Sequence, residues 1–302
     1  MKKYKLLFVL LIICLLFIEY KKNYFLENYL KNFKLAIHTV FLPKENILFI
    51  EEWIKYHINL GVDHFYLYNN DGSVGRNGSD KNKNKYNIPF NKVINIDYKK
   101  EIEKINKKYP QVTFIKWMPR DCKNKITYNY PLSIKHYIKN YKKKNDWTVF
   151  IDMDEFIVLK DTNSNDIKSY IMDKDKQNIN KIVILQKKFE DRFCCLDKSV
   201  FSINKTLENV NTNGWGEKNI CKNENLNNNF RNCSMHHILM NNENKIKEKL
   251  NKLRFNHYNM NLKQLQWTKN NISKSYKIGK DTSMEKYIEF SDDIESRKYN
   301  KR

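Results

Sequence analysis

The residues with the clearest chemical potential form the run Asp152-Met153-Asp154-Glu155, which directly follows the apolar stretch 149–151. Residues two apart on an extended chain point to the same side, so Asp152 and Asp154 can aim at one point if the strand geometry continues. Carboxylates beside a buried strand are costly unless they are paired or bind a metal ion. Oxygen ligands suit Mn²⁺ or Mg²⁺, and such a cation can bridge to a diphosphate. The run favours a divalent-metal site, with a solvated acidic turn as the alternative.

Apolar periodicity predicts the elements that position this run. Strands are expected over residues 35–41, 64–68, 147–151 and 182–185, and helices over 45–60 and 130–141. Gly61 stands where a helix C-cap belongs, and a turn signal follows the second strand at 69–73. This alternation indicates an α/β fold with a mixed, mostly parallel sheet flanked by helices. Ligands of such sheets bind beyond the carboxyl ends of the strands, where Asp71 and Asp152 both fall.

The N-terminus predicts a membrane anchor. Three lysines within the first five residues precede an unbroken apolar run over 6–18, and no small-residue cleavage site follows it. We therefore expect residues 1–19 to form an uncleaved signal-anchor helix and residues 20–33 to form a short stem. The domain over 34–290 would then lie in an ER- or Golgi-type lumen or on another extracytoplasmic side, with a polar tail over 291–302.

Composition bounds the class of protein. The chain has 302 residues, of which 41% are hydrophobic, so it can bury a sizeable core. Its formal net charge of +22 would suit nucleic-acid binding. However, the lysines are spread along a chain rich in Lys and Asn, as an AT-rich genome would encode, whereas a nucleic-acid footprint should be clustered. A basic nucleic-acid-binding protein is therefore the less favoured alternative, and no nucleic-acid partner is expected.

Three segments together resemble glycosyltransferase family 92 and related family-2-like glycosyltransferases. They are residues 51–73, residues 147–156 and Phe255-Asn256-His257-Tyr258, and residues 214–220 and 235–237 are loosely similar to the part between the last two. The resemblance spans most of residues 35–277 and implies a GT-A fold. It also implies metal-dependent transfer of a hexose from a nucleotide diphosphate sugar to a glycan or glycoconjugate. By this analogy the donor would be a UDP-sugar, with galactose as the first sugar to try.

The resemblance implies a role for each matching residue of the metal site. Asp152 and Asp154 would hold the metal ion and the sugar-nucleotide diphosphate. Glu155 would shape or support their loop and contribute to the nucleotide site. His257 would complete the metal site from the far side, with a core or turn histidine as the alternative. The expected cofactor is Mn²⁺ or Mg²⁺.

Other candidate residues lie outside this metal site. Asn70 and Asp71 would face the nucleotide base and ribose, although simple turn chemistry explains both residues equally well. An inverting transfer would need a carboxylate that takes the proton of the acceptor hydroxyl. By their position after the metal motif, Glu190, Asp191 and Glu217 are the candidate bases.

The chain also departs from the family pattern at two places. Gln186 stands where the family has Trp in its mid-chain strand, and Phe189-Glu190 replaces a Phe-Gly pair. Residues 259–263 replace the segment that normally follows the third block. These departures leave acceptor recognition open. They also leave open an alternative function, in which the protein is a degenerate, non-catalytic relative that binds glycans or nucleotides.

Overall fold

A single mixed sheet of eleven strands organises the part of the chain described here. The computed structural model describes residues 12, 14–18, 20–21, 32–47, 49–73, 97–160, 166–189, 199–208, 216–228, 234–258 and 277–288. Its strands are β1 Leu35–Phe41, β2 His64–Asn69, β3 Val112–Lys116, β4 Trp147–Phe150, β5 Glu155–Leu159, β6 Lys181–Phe189, β7 Lys205–Glu208, β8 Glu217–Lys222, β9 Lys245–Lys247, β10 Leu253–His257 and β11 Lys277–Lys280.

Apart from the helical residues 12, 14–18 and 20–21, five α-helices accompany the sheet in the described part of the chain. They are α1 Pro43–Asn46, α2 Ile50–Asn59, α3 Tyr98–Lys108, α4 Tyr130–Asn140 and α5 Ile167–Lys176. Asp97, Asn129 and Asp166 accept backbone N–H groups at the starts of α3, α4 and α5, which satisfies donors that a helix leaves unpaired. Gly61 follows α2 with a φ of 103°, a left-handed conformation that glycine adopts without strain, so the predicted helix end is confirmed.

The helix predicted over residues 45–60 is instead two helices. The Asn46 side chain accepts the Leu42 N–H at 3.0 Å, and the Phe49 N–H turns back to the Asn46 carbonyl at 2.8 Å. The first bond links the two ends of the short helix α1, and the second forms the turn between α1 and α2. Apolar periodicity alone runs through this break, because the buried residues on both sides of it face the same core.

The sheet is parallel over strands β4, β1, β2 and β3 and mixed over the remaining strands. Its order is β11-β7-β6-β8-β4-β1-β2-β3, and β10 joins it by pairing with β5 and β6. Strands β4, β1, β2 and β3 are parallel neighbours, whereas β8 runs antiparallel to both β4 and β6. Strand β10 is antiparallel to β5 and parallel to β6. The predicted mixed α/β sheet flanked by helices is confirmed.

Two apolar clusters cover the two faces of the sheet. Along β1, Leu35 and Ile37 belong to the larger cluster, which contains the buried residues of α2 and α5. Ala36 and Val40, between and beyond them on the other face, pack in a second, aromatic-rich cluster under α4. Because successive strand residues point to opposite faces, this alternation places helices on both sides of the sheet.

Across the described residues, no helix is long and apolar enough to cross a membrane. The described residues of the predicted anchor, 12 and 14–18, are helical. The rest of that segment, most of the stem, residues 74–96 and the predicted tail over 291–302 lie outside the described residues. The anchor and the lumenal placement therefore stay predictions.

Candidate metal centre

The acidic run forms a tight turn between β4 and β5. Strand β4 ends at Phe150, one residue before the predicted end, so the condition under which Asp152 and Asp154 would share one strand face is not met. The Asp152 N–H donates to Glu155 Oε2 at 2.8 Å, and the Glu155 N–H donates to the Asp152 carbonyl at 3.2 Å. These two bonds close the turn on itself. Asp154 and Glu155 are thereby buried, whereas Asp152 is half-buried.

One turn of α2 holds the main chain that follows this run. Trp53 Nε1 donates to the Glu155 carbonyl at 2.8 Å, and the Tyr56 hydroxyl donates to the Ile157 carbonyl at 2.5 Å. The Ile157 N–H donates to His57 Nε2 at 3.3 Å, so the His57 hydrogen sits on Nδ1, which donates to the Trp53 carbonyl at 2.8 Å. Burial lowers the pKa of His57 to about 3 and keeps its ring neutral. The first two segments of the family resemblance therefore contact each other.

Asp154, Glu155 and His257 form a buried group that could hold a metal ion. One ligand atom from each of the three lies within 4.8 Å of the others. Strand pairing creates the group, because His257 is the register partner of Glu155 across β10 and β5. The Tyr258 N–H donates to the Asp154 carbonyl at 3.0 Å and fixes the end of β10 against the turn.

The His257 ring is oriented as a metal ligand would be. Its Nδ1 lies 3.0 Å from Gln186 Oε1, and its Nε2 lies 3.3 Å from Asp154 Oδ2. A ring that donates its Nδ1 hydrogen to Gln186 presents the Nε2 lone pair to a carboxylate oxygen. Two acceptors at that distance require a proton or a cation between them. Histidines that bind metals usually donate their other N–H in this way.

Lys218 joins the site, although no sequence motif assigns it a role. Its Nζ lies 2.7 Å from Asp152 Oδ2 and 2.9 Å from Glu155 Oε2, and the side chain is 1% exposed. Burial disfavours the ammonium, but the Asp152 and Glu155 carboxylates outweigh burial, and the pKa of Lys218 lies above its usual value. Burial also raises the pKa of Glu155, a shift that Lys218 opposes only in part. No local motif links residues 218 and 152, since only the pairing of β4 with β8 brings them together.

Lys188 is a second buried lysine beside the group. It is the register partner of His257 in the pairing of β10 with β6. Burial lowers the pKa of Lys188 to about 8, and the Asp154 carboxylate opposes that shift. Lys188 and Gln186 lie two residues apart on β6 and so share a face, which is the only sequence signal that could have connected them.

Asn70 and Asp71, in the turn after β2, differ from each other in burial and in hydrogen-bond partners. The Asn70 side chain is fully buried, and its Nδ2 donates to the Trp117 carbonyl at 2.8 Å and to the Thr127 carbonyl at 3.1 Å. Asp71 is half-buried and accepts the Tyr98 hydroxyl at 3.0 Å. Asn70 thus braces the neighbouring loop, which favours the turn interpretation for that residue. The nucleotide role stays a prediction for both.

Among the candidate bases, the structure describes only Glu217. Its carboxylate pairs with the Lys247 ammonium, whereas the next residue, Lys218, points to the acidic turn. Adjacent strand residues face opposite sides of the sheet, so Glu217 is not part of the buried group. Glu190 and Asp191 lie outside the described residues.

Comparison with known proteins assigns no family to the chain. No protein-family model matches the sequence, and no curated protein matches it. The similarity to family 92 glycosyltransferases therefore stays a resemblance of three segments.

Proposed function

We propose that this protein is a metal-dependent glycosyltransferase with a GT-A-type domain. It would transfer a hexose from a nucleotide diphosphate sugar, with UDP-galactose as the first donor to try, to a glycan or glycoconjugate. The observation that carries the proposal is the buried group of Asp154, Glu155 and His257, in which His257 Nε2 lies 3.3 Å from Asp154 Oδ2. The bond from the ring to Gln186 is the support that a metal-ligating histidine usually has.

The donor set fits a divalent cation. Two carboxylates and an imidazole would hold Mn²⁺ through Asp154, Glu155 and His257, and Mg²⁺ would rely more on the carboxylates. Asp152 Oδ1 is also buried and has no hydrogen-bond partner among the described residues, so the turn has unused acceptor capacity. When bound, the cation would neutralise charge that develops on a diphosphate leaving group.

The position of the turn in the sheet supports a nucleotide-sugar site. The turn follows the carboxyl end of β4, and Asp71 follows the carboxyl end of β2, with the parallel strand β1 between them. Open α/β sheets bind ligands beyond this edge. Within the site, Gln186 orients the His257 ring, Lys218 orients Asp152 and Glu155, and α2 fixes the backbone between them.

Thermal melting with Mn²⁺ and UDP, singly and together, tests the proposal. We expect the melting midpoint of the wild type to rise most with both ligands, because binding to the folded state alone stabilises it. Asp154→Asn should abolish the rise. Asp173→Asn, which alters an exposed aspartate on α5 paired with Lys176, is the matched control and should retain it.

Nucleotide release from UDP-sugars in the presence of Mn²⁺ then separates the two functions. Release that depends on Asp154 and on an added glycan acceptor supports transfer. Stabilisation by Mn²⁺ and UDP without release from any donor would instead favour the non-catalytic nucleotide-binding relative. A wild type that neither Mn²⁺ nor UDP stabilises would contradict both.

A further inference from the structure

We propose that Lys218 is a positioning residue that serves as a built-in cation beside the metal centre. Its ammonium would take the position between Asp152 and Glu155 that a second divalent ion would otherwise fill. The remaining group, Asp154, Glu155 and His257, would then bind a single metal ion. This inference builds on the metal centre of the proposed function and adds a role for a residue outside the D-x-D run.

The contacts of Lys218 are those of a bridging cation. Its Nζ lies within 2.9 Å of oxygens from two carboxylates that are three residues apart in the turn. Two-metal centres place cations about 3.5–4 Å apart between shared carboxylates. A side chain that is 1% exposed cannot exchange this role with solvent ions. Lys218 therefore supplies permanently the charge that the turn needs in order to stay folded.

Glu155 is the shared carboxylate. Its Oε2 accepts both the Lys218 ammonium and the Asp152 N–H, at 2.9 and 2.8 Å. Its Oε1 lies on the other side, 4.0 Å from His257 Nδ1. Because Lys218 engages Oε2, the other oxygen of Glu155 stays on the side of the His257 ring. Lys218 thus balances the charge of Glu155 and orients its carboxylate, and Glu155 would still bind the metal ion through its other oxygen.

Asp152 is the residue whose role changes most under this proposal. Its Oδ2 is bound by Lys218, so Asp152 would support the metal centre through the lysine instead of coordinating the metal through that oxygen. Buried carboxylates that lose such a partner are strongly destabilising. Removal of the ammonium should therefore leave a second position that attracts a divalent cation.

The test is Lys218→Met, with Lys218→Gln as a milder variant whose amide can keep a hydrogen bond to a carboxylate. Lys222→Met is the matched control, because Lys222 lies on the same strand and its Nζ also bridges two carboxylates, Asp175 at 2.8 Å and Glu224 at 2.9 Å. Melting midpoints are measured in chelator and at saturating Mn²⁺, and Mn²⁺ stoichiometry is measured by calorimetry.

We expect both Lys218 variants to melt at a lower temperature than the wild type in chelator. Mn²⁺ should raise their midpoints by at least about twice the shift of the wild type, because the metal binds the folded state at an additional position. Stoichiometry should rise from one Mn²⁺ per chain to two. Lys222→Met should show the Mn²⁺ response of the wild type.

Two outcomes would overturn the proposal. One is a Mn²⁺ shift in folded Lys218 variants no larger than in the wild type, which would make the lysine an ordinary packing ion pair. The other is failure of both variants to fold even when Mn²⁺ is present throughout purification. Rescue by Mn²⁺ without sugar transfer by the wild type would leave this inference intact and contradict the proposed enzyme activity alone.

Discussion

Strands β6 and β10 carry two charged clusters on opposite faces, and the two clusters have opposite charge balance. The acid-rich cluster contains Asp152, Asp154, Glu155, Lys218 and His257, with Lys188 beside it. The cation-rich cluster contains Asp281, Arg254, Lys187 and Lys160. Neighbouring residues of β6, Lys187 and Lys188, belong to different clusters because strand residues alternate between faces.

The cation-rich cluster surrounds one carboxylate with three cations. Asp281 Oδ2 lies 2.7 Å from Arg254 Nη2, 3.0 Å from Lys187 Nζ and 3.7 Å from Lys160 Nζ. Burial alone would raise the pKa of the Asp281 carboxyl, but hydrogen bonds from Ser283 and Lys187 and the charge of Arg254 hold it well below its usual value. The three cations compensate the charge of the Asp281 carboxylate without an added metal ion.

The difference between the clusters separates a structural clamp from a binding centre. In the cation-rich cluster the carboxylate is satisfied by the chain itself, and it ties the segment after β11 to β10. In the acid-rich cluster the carboxylates outnumber the close cations, burial raises the pKa of Glu155, and one buried oxygen of Asp152 lacks a partner among the described residues. The acid-rich cluster, in which carboxylates outnumber the close cations, is therefore the one that an added cation should stabilise.

Asp281→Asn gives the largest expected effect. Removing one partner from a buried ion pair is costly, so we expect the free energy of unfolding to fall by about 3 kcal/mol. Lys160→Gln should cost less than about 1 kcal/mol, because its ammonium is more distant and partly exposed. Denaturant unfolding measures both. Equal losses in the two variants would show that Asp281 is not the centre of the clamp.

The same substitution should have a defined pH dependence. Because the pKa of Asp281 is lower in the folded state, its ionised form stabilises the fold above the unfolded pKa of about 3.9, and this stabilisation is lost as pH falls toward the folded value. The difference in unfolding free energy between wild type and Asp281→Asn should be constant near neutral pH and shrink below about pH 4. A difference that grows on acidification would contradict the assignment.

Tyr56→Phe tests how the acid-rich cluster is held. This cluster is supported from outside by neutral hydrogen bonds from α2, whereas the cation-rich cluster is held by its own charges. Loss of the hydroxyl leaves the buried Ile157 carbonyl without that donor and should lower the free energy of unfolding by about 1 kcal/mol. Calorimetric Mn²⁺ titration of the same variant should show weaker binding. Unchanged stability would contradict the support role of this bond.

Asp154→Asn should have the smallest effect on stability and the opposite tendency to Asp281→Asn. In chelator, we expect the melting midpoint to hold or rise, because one of several buried like charges is removed. In Mn²⁺ the order should reverse, since the variant can no longer gain from the metal. A large loss of stability in chelator, with Mn²⁺ binding retained, would make Asp154 a structural residue.

Local sequence patterns predicted four of the described strands, β1, β2, β4 and β6, and the site only in part. The strand over 35–41 and the helix start at Tyr130 are confirmed, because a strand that is buried along its whole length and an apolar helix stripe both leave local signals. Asp154 and His257, which the family resemblance assigns to one metal site, lie 3.3 Å apart. Gln186 was recognised only as a departure from the family, yet it contacts His257. Its role, like that of Lys218, depends on strand pairing between distant residues, which no short window of sequence contains.

The hydrogen bonds from α2 side chains to the main chain of β5 affect which substitutions this site can accept during evolution. Trp53, Tyr56 and His57 all bind main-chain atoms of residues 155 and 157, which every amino acid except proline provides. These three hydrogen bonds therefore do not depend on which side chains residues 155 and 157 carry. Substitutions at Asp152 or Asp154 can therefore alter which ion or ligand is preferred while the main-chain bonds from α2 to β5 persist.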